Sequence, residues 1–216
     1  MTELAQAAQE PTEIPTTTPA QNPTLTPNPA APNTTATPAT AAVNATITTA
    51  GNSPQGRQRT YAWADPLQTA AAGAQLSGLE FLTALAEGRV APPPILNTMD
   101  FDGAVFADGR AEFSLTPQEF HYNPIGSVHG GVFATMLDSA CGCAVHSKLP
   151  AGVFYTSLDL SVKFLRPVST ATGRITAVGT VVHIGRRMAL AEAKIVDAAG
   201  RVYATANSSC LIMRPE

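Results

Sequence analysis

The sequence predicts an α+β domain in which a curved antiparallel sheet wraps one long central helix, with a polar tail in front. Three observations carry this. Residues 129–147 read as a single helix rich in apolar and small side chains. The C-terminal third is almost continuous strand pattern broken only by short turns. The first fifty or so residues are dominated by Thr, Pro and Ala, have no aromatic residue, and place prolines at 11, 15, 19, 23, 27, 29, 32 and 38. Such a segment buries too little apolar surface to offset the entropy of ordering it.

In chain order, residues 1–60 are expected to be a disordered Thr/Pro/Ala-rich tail, 61–97 an N-terminal helical segment and linker, and 98–216 the main domain. The tail lacks the basic start and continuous apolar run of a secretory signal. Its sequons at Asn33 and Asn44 are of a kind expected by chance in a Thr-rich stretch. Asp65-Pro66 opens a helix-like stretch to about Ala86, in which Leu76, Leu79, Leu82 and Leu85 form a broad apolar band. Pro92-Pro93-Pro94 breaks the chain. Segments 98–107 and 110–116 flank Asp108-Gly109, a hairpin-type turn pair. After the central helix, which ends near Pro150, strands are expected at 154–165, 171–183, 187–197 and 201–213. Short connections between them predict an antiparallel meander, with four to six strands in all.

Composition excludes several classes. With 13 Lys and Arg against 16 Asp and Glu, the net charge of −3 gives no footprint for nucleic acid. No run of about 18 apolar residues suggests a membrane span. The three cysteines, Cys141, Cys143 and Cys210, have no zinc-type spacing. They read as small buried hydrophobes in a reducing cytoplasm, and no metal or cofactor is implied. His121, His146 and His183 show no ligand spacing either and are expected to be structural.

The chemistry concentrates in His121–Gly131 and the helix behind it. A polar turn ending in Gly130-Gly131 feeds a helix start, whose free N–H groups suit an anion. On a helical wheel Phe133, Met136, Ala140 and Cys143 share one side. Asp138 lies opposite, beside Gly131, Ala134, Thr135, Cys141, Gly142 and Val145. A surface of Gly, Ala and Thr around one carboxylate looks like room left for another body rather than a water-facing surface. Gly130 and Asp138 stand eight residues apart, about 12 Å along a helix at about 1.5 Å per residue. One chain therefore cannot easily aim both groups at one carbonyl, whereas two antiparallel copies of the helix can. The spacing predicts a homodimer with composite sites.

Several separated motifs then carry a resemblance: Asn123-Pro124-x-Gly126-x-x-His129-Gly130-Gly131, Leu137-Asp138-Ser139-Ala140, Thr156-Ser157-Leu158-Asp159-Leu160 and Phe164-Leu165-Arg166-Pro167. Over about 75–213 the chain resembles the PaaI-type acyl-CoA thioesterases of the hotdog superfamily. The resemblance implies a hotdog fold paired edge to edge into a dimer, often a dimer of dimers, with an acyl-CoA substrate. It implies that Gly130 donates its backbone N–H to the thioester oxygen and that Asn123 helps hold the substrate or attacking water. Asp138 would be general base or nucleophile, and Ser157 would position the water beside it. His129 is expected to shape the loop or contact the thioester next to Gly131. Arg166, Arg186 and Arg187, near strand ends or turns, are candidates for the CoA phosphates.

Thioesters need no metal for hydrolysis, so one carboxylate and an oxyanion hole suffice. The competing reading is a non-catalytic acyl-CoA sensor or carrier on the same scaffold, because fold does not fix activity. Asp138 argues against it, since mere binding does not call for a desolvated carboxylate. A hotdog dehydratase or hydratase would pair a catalytic His with a carboxylate in a different motif.

Overall fold

The structure, a computed structural model, describes residues 56–214. Apart from residues 56–60, the expected tail and its sequons lie outside the described residues. Within 56–60, Arg57 Nε donates to Glu119 at 2.6 Å, and the Arg59 guanidinium lies 4.7 and 4.5 Å from the Tyr61 and Phe120 ring centres.

The helix expected over 65–86 is two helices, α1 (Pro66–Gly73) and α2 (Gly78–Ala86). Ser77 makes the break. Its hydroxyl accepts from Glu80 N at 3.4 Å while the Glu80 carboxylate accepts from Ser77 N at 2.9 Å, a reciprocal cap that starts a new helix. The leucine spacing runs across this cap and hides it. A third helix, α3 (Pro94–Met99), stands where the prolines suggested only a break. Proline is compatible with the first helical position, because its missing N–H would be unpaired there anyway. Asp100, at φ 58°, ends α3 and delays the next strand to Phe101.

β1 (Phe101–Ala107) and β2 (Arg110–Leu115) form the expected hairpin. The long helix α4 spans Gly130–His146, within a residue of prediction at each end. The strand expected over 154–165 is instead β3 (Phe154–Ser157) and β4 (Ser161–Phe164). Asp159 interrupts it: its side chain accepts from Ser209 N at 3.1 Å and its carbonyl accepts from the Ser208 hydroxyl at 2.8 Å. These contacts replace regular ladder bonds between the two strands. β5 (Ile175–Ile184), β6 (Met188–Asp197) and β7 (Val202–Met213) follow as consecutive hairpins.

All pairings are antiparallel in one seven-stranded sheet of order β1-β2-β5-β6-β7-β3, with β4 also on β7. The simple meander therefore holds only for β5–β7. β3 and β4 pair with β7, across the sheet from β5, their successor in sequence.

The sheet curls around α4 because its inner side is built from small residues. Ala111, Ala177, Ala189, Ala191, Ala193, Ala204 and Ala206 are all buried there. At Gly179 a Cβ would stand 2.9 Å from the Cys141 amide nitrogen, so the strand reaches the helix backbone only without one. Phe133, Met136 and Leu137 are fully or almost fully buried, each contributing about 1.5–3 kcal/mol. Outside the sheet, α2 packs on the end of α4, where Gly78 N donates to Leu149 O at 2.9 Å. Phe81 meets the His146 ring edge-on at 5.8 Å.

The wheel is confirmed in part. Phe133, Met136 and Ala140 are buried, Cys143 is half-buried, and Asp138 is exposed. Cys141, Gly142 and Val145, expected on the open Asp side, are buried instead. β3 and β5 close over that half of the helix, so only its N-terminal half stays open.

Candidate active site

The turn before α4 is organised by its own side chains. His121 is buried; its Nδ1 accepts from Gln118 N at 3.0 Å and its Nε2 donates to Met99 O at 3.0 Å. Both nitrogens are satisfied with a neutral ring, and burial pushes its pKa down. His121 is structural, as expected. Asn123 Oδ1 accepts from Ile125 N at 3.0 Å and Ser127 N at 3.2 Å, and its Nδ2 donates to Ser127 Oγ at 3.1 Å. The carboxamide thus folds the turn, which Gly126 completes at φ +83°.

His129 is the N-cap of α4: its Nδ1 accepts from Gly131 N at 2.9 Å. That bond assigns its proton to Nε2, on an exposed ring. The neighbouring Gly130 N–H is the first of the helix and has no acceptor within it. A Cβ on Gly130 would crowd the Phe164 ring at 3.1 Å, so glycine lets Phe164 cover the helix start closely.

Two turns on, Ser157 Oγ donates to Asp138 Oδ1 at 2.9 Å. The tertiary fold therefore joins two sequence-predicted residues from separate motifs. Asp138, Ser157 and His129 are exposed in the single chain, while Asn123 and Gly130 are half-buried.

Asn123, Gly130, Phe133, Phe164 and Arg166 line one cavity of about 360 Å³. Arg166 and Pro167 also line the adjoining cavity of about 560 Å³, with Ser169, Thr172, Arg201 and Tyr203. An apolar cleft at the helix start thus passes over Arg166 into a polar one. Arg201 is not a candidate from sequence, because it stands there only as the first residue of the strand expected over 201–213. Arg186 and Arg187 stand apart, around a cleft of about 420 Å³ with Arg214. Asp138 and Ser157 line neither of the cavities that contain Arg166.

The cysteines are free, and burial pushes the Cys141 and Cys143 thiols up to about 12, so they stay protonated. Among the described residues no group of His, Cys, Asp and Glu is arranged to hold a metal ion, and no helix is long and apolar enough to cross a membrane.

Known proteins are similar to this chain in sequence and in fold. Residues 125–204 match the Thioesterase superfamily. A provisionally named esterase of Halobacterium salinarum is 42% identical over 76 residues, covering 34% of this chain and 48% of that protein. The match thus spans about half the length of that relative. The 1,4-dihydroxy-2-naphthoyl-CoA hydrolase of Listeria monocytogenes is 27% identical over 89 residues, 41% of this chain and 71% of that protein. Among solved structures, AziG of S. sahachiroi is similar at a TM-score of 0.54 and 25% identity, over 56% of this chain and 98% of that one. The E. coli PaaI protein of the phenylacetic acid degradation operon has a TM-score of 0.54 at 22% identity, over 64% of this chain and 96% of that one, a likeness of fold. Topology and these matches converge: residues 125–204 are similar to the thioesterase superfamily, and the chain has the hotdog fold that the PaaI structures share.

Proposed function

We propose that the protein hydrolyses an acyl- or aryl-CoA thioester to the free acid and CoA. The observation that carries the reading is the Ser157–Asp138 hydrogen bond of 2.9 Å, about two turns along the same helix from the unpaired N–H of Gly130. Asp138 and Gly130 sit on the same helix about 12 Å apart at about 1.5 Å per residue. Reacting groups must lie within a few ångströms of the bond they act on. Each site therefore takes Gly130 and Asn123 from one protomer and Asp138 and Ser157 from its partner. Burial at that interface would strengthen the field of the carboxylate, which is exposed in one chain.

In the general-base route, Asp138 removes a proton from water held by Ser157, and the oxygen adds to the thioester carbon. The Gly130 N–H, reinforced by the helix start, holds the oxyanion that forms. Collapse breaks the C–S bond, and the departing CoA thiolate takes the proton back from Asp138. In the nucleophilic route Asp138 adds to the thioester carbon and the CoA thiolate is expelled; water then cleaves the mixed anhydride to the free acid and the Asp138 carboxylate, and its released proton goes to the thiolate. His129 holds Gly130 and Gly131 in place as cap. Arg166 borders the helix-start cleft, and with Arg201 it suits the CoA phosphates. Arg186 and Arg187 would reach the nucleotide only from the separate cleft they share with Arg214. The free cysteines suit a reducing, cytoplasmic compartment.

The test is release of free thiol from a panel of acyl- and aryl-CoAs. Wild type is expected to turn over at least one, and Asp138→Ala to lose about 100- to 10,000-fold in kcat. Binding without turnover by wild type would replace the enzyme with an acyl-CoA sensor or carrier.

A further inference from the structure

We propose that Gly142 and Tyr155 are positioning residues that set the distance between β3 and α4, and so hold Ser157 on Asp138. The inference rests on the thioesterase reading for its kinetic consequence, but the geometry stands alone.

β3 touches α4 at two successive points. Ser157 bonds Asp138 at 2.9 Å. Two residues back on the same side of the strand, the Tyr155 side chain lies against Gly142, one turn further along the helix. The two intervals match: four helical residues rise about 6 Å and two strand residues about 6.6 Å. The two contacts therefore fall opposite each other with the strand running against the helix. At Gly142 the approach is as close as a side chain allows. A Cβ there would meet the Tyr155 hydroxyl and two ring carbons at 2.8 and 2.9 Å, distances real Cβ atoms essentially never show. The Tyr155 ring is held in turn by His146, 5.7 Å away between ring centres.

The remaining restraint on β3 acts in another direction. Four residue pairs tie it to β7, from Phe154–Met213 to Ser157–Cys210. A ladder sets position along the strand, but an edge strand can still tilt about it. The stand-off from the helix is left to Tyr155. Pushing that ring outward lifts Ser157, two residues away, from a bond that has only a few tenths of an ångström to give.

The experiment combines kinetics with a crystal structure of each variant. Gly142→Ala is expected to lower kcat about ten- to a hundred-fold with KM nearly unchanged, as a lost bond to a charged group does. Its structure is expected to show Ser157 Oγ more than 3.5 Å from Asp138 Oδ1. Ser157→Ala should reproduce the kcat loss, and Gly142→Ala/Ser157→Ala should lose no more than Ser157→Ala alone. Gly142→Ala/Tyr155→Leu should recover most of kcat, because the shorter side chain makes room for the new methyl. Losses that multiply in the Gly142→Ala/Ser157→Ala variant, or an unmoved Ser157, overturn the proposal. Should Gly142→Ala not fold, Tyr155→Leu carries the test alone: a kcat within twofold of wild type overturns it, and a fivefold or larger fall at unchanged KM supports it. If wild type hydrolyses no acyl-CoA, the functional reading fails while the Ser157–Asp138 distance still decides the positioning claim.

Discussion

His129 shows how one side chain near a reacting centre acts through the backbone. Its Nδ1 accepts from Gly131 N at 2.9 Å, so the imidazole replaces the Ser, Thr, Asp or Asn usual at a helix start. His129→Ala is expected to destabilise the fold by about 1 kcal/mol, read as a lower urea midpoint at unchanged slope. His129→Asn, with an acceptor of its own at the same position, should recover most of that. His146 carries a second residue-scale prediction. It lies between Phe81 and Tyr155, its Nδ1 has no partner among the described residues, and burial pushes its pKa down. The unfolded chain takes up a proton near pH 6.5 that the folded chain refuses. Stability is therefore fully present above that pH and falls as pH drops below it, by at most about 1.4 kcal/mol per pH unit. His121, also depressed by burial, adds to the same slope. Urea midpoints between pH 7.5 and 5.5 should fall, and His146→Phe should flatten the trend.

Among the elements, α4 was the most legible, because seventeen residues of consistent pattern outweigh local ambiguity. Its ends are marked by Gly130 and by the turn before Pro150. The N-terminal helices were less legible, since the cap at Ser77 interrupts a leucine pattern that continues through it. The sequence shows β3 and β4 as one strand because alternation across 154–165 persists while the ladder does not. Asp159 breaks it with contacts to Ser208 and Ser209, fifty residues away in sequence, which no local pattern records. At this scale Gly78 is the most demanding joint. A Cβ there would run into the His146 carbonyl, and its N–H is bonded to Leu149 O. Gly78→Ala should detach α2 from α4, seen as a lower thermal midpoint and faster hydrogen exchange over residues 78–86, with the sheet amides unaffected.

For the whole molecule, Gly130 and Asp138 share one helix about 12 Å apart, which is why the proposed site draws on a second copy to bring both to one carbonyl. Edge strands β3 and β4 leave Phe154, Leu158, Phe164 and Leu165 exposed beside that helix, an apolar edge suited to a second copy. Mixed dimers made by subunit exchange between Asn123→Ala and Asp138→Ala protomers should regain activity, because one of their two sites is intact. No recovery, with exchange verified by mass, would rule out shared sites. Sedimentation will tell a dimer from a dimer of dimers.

The residues alone determined the fold class, the central helix and the candidate pair Asp138 and Gly130, because periodicity and motif spacing are properties of the chain itself. Only the tertiary structure brought Ser157 to Asp138, made Asn123 the organiser of its own turn, and separated Arg166 from Arg186 and Arg187. It also revealed that Tyr155 fills the space a Cβ at Gly142 would need. These are contacts between elements far apart in sequence, and their distances depend on how closely backbones approach, which no single segment encodes.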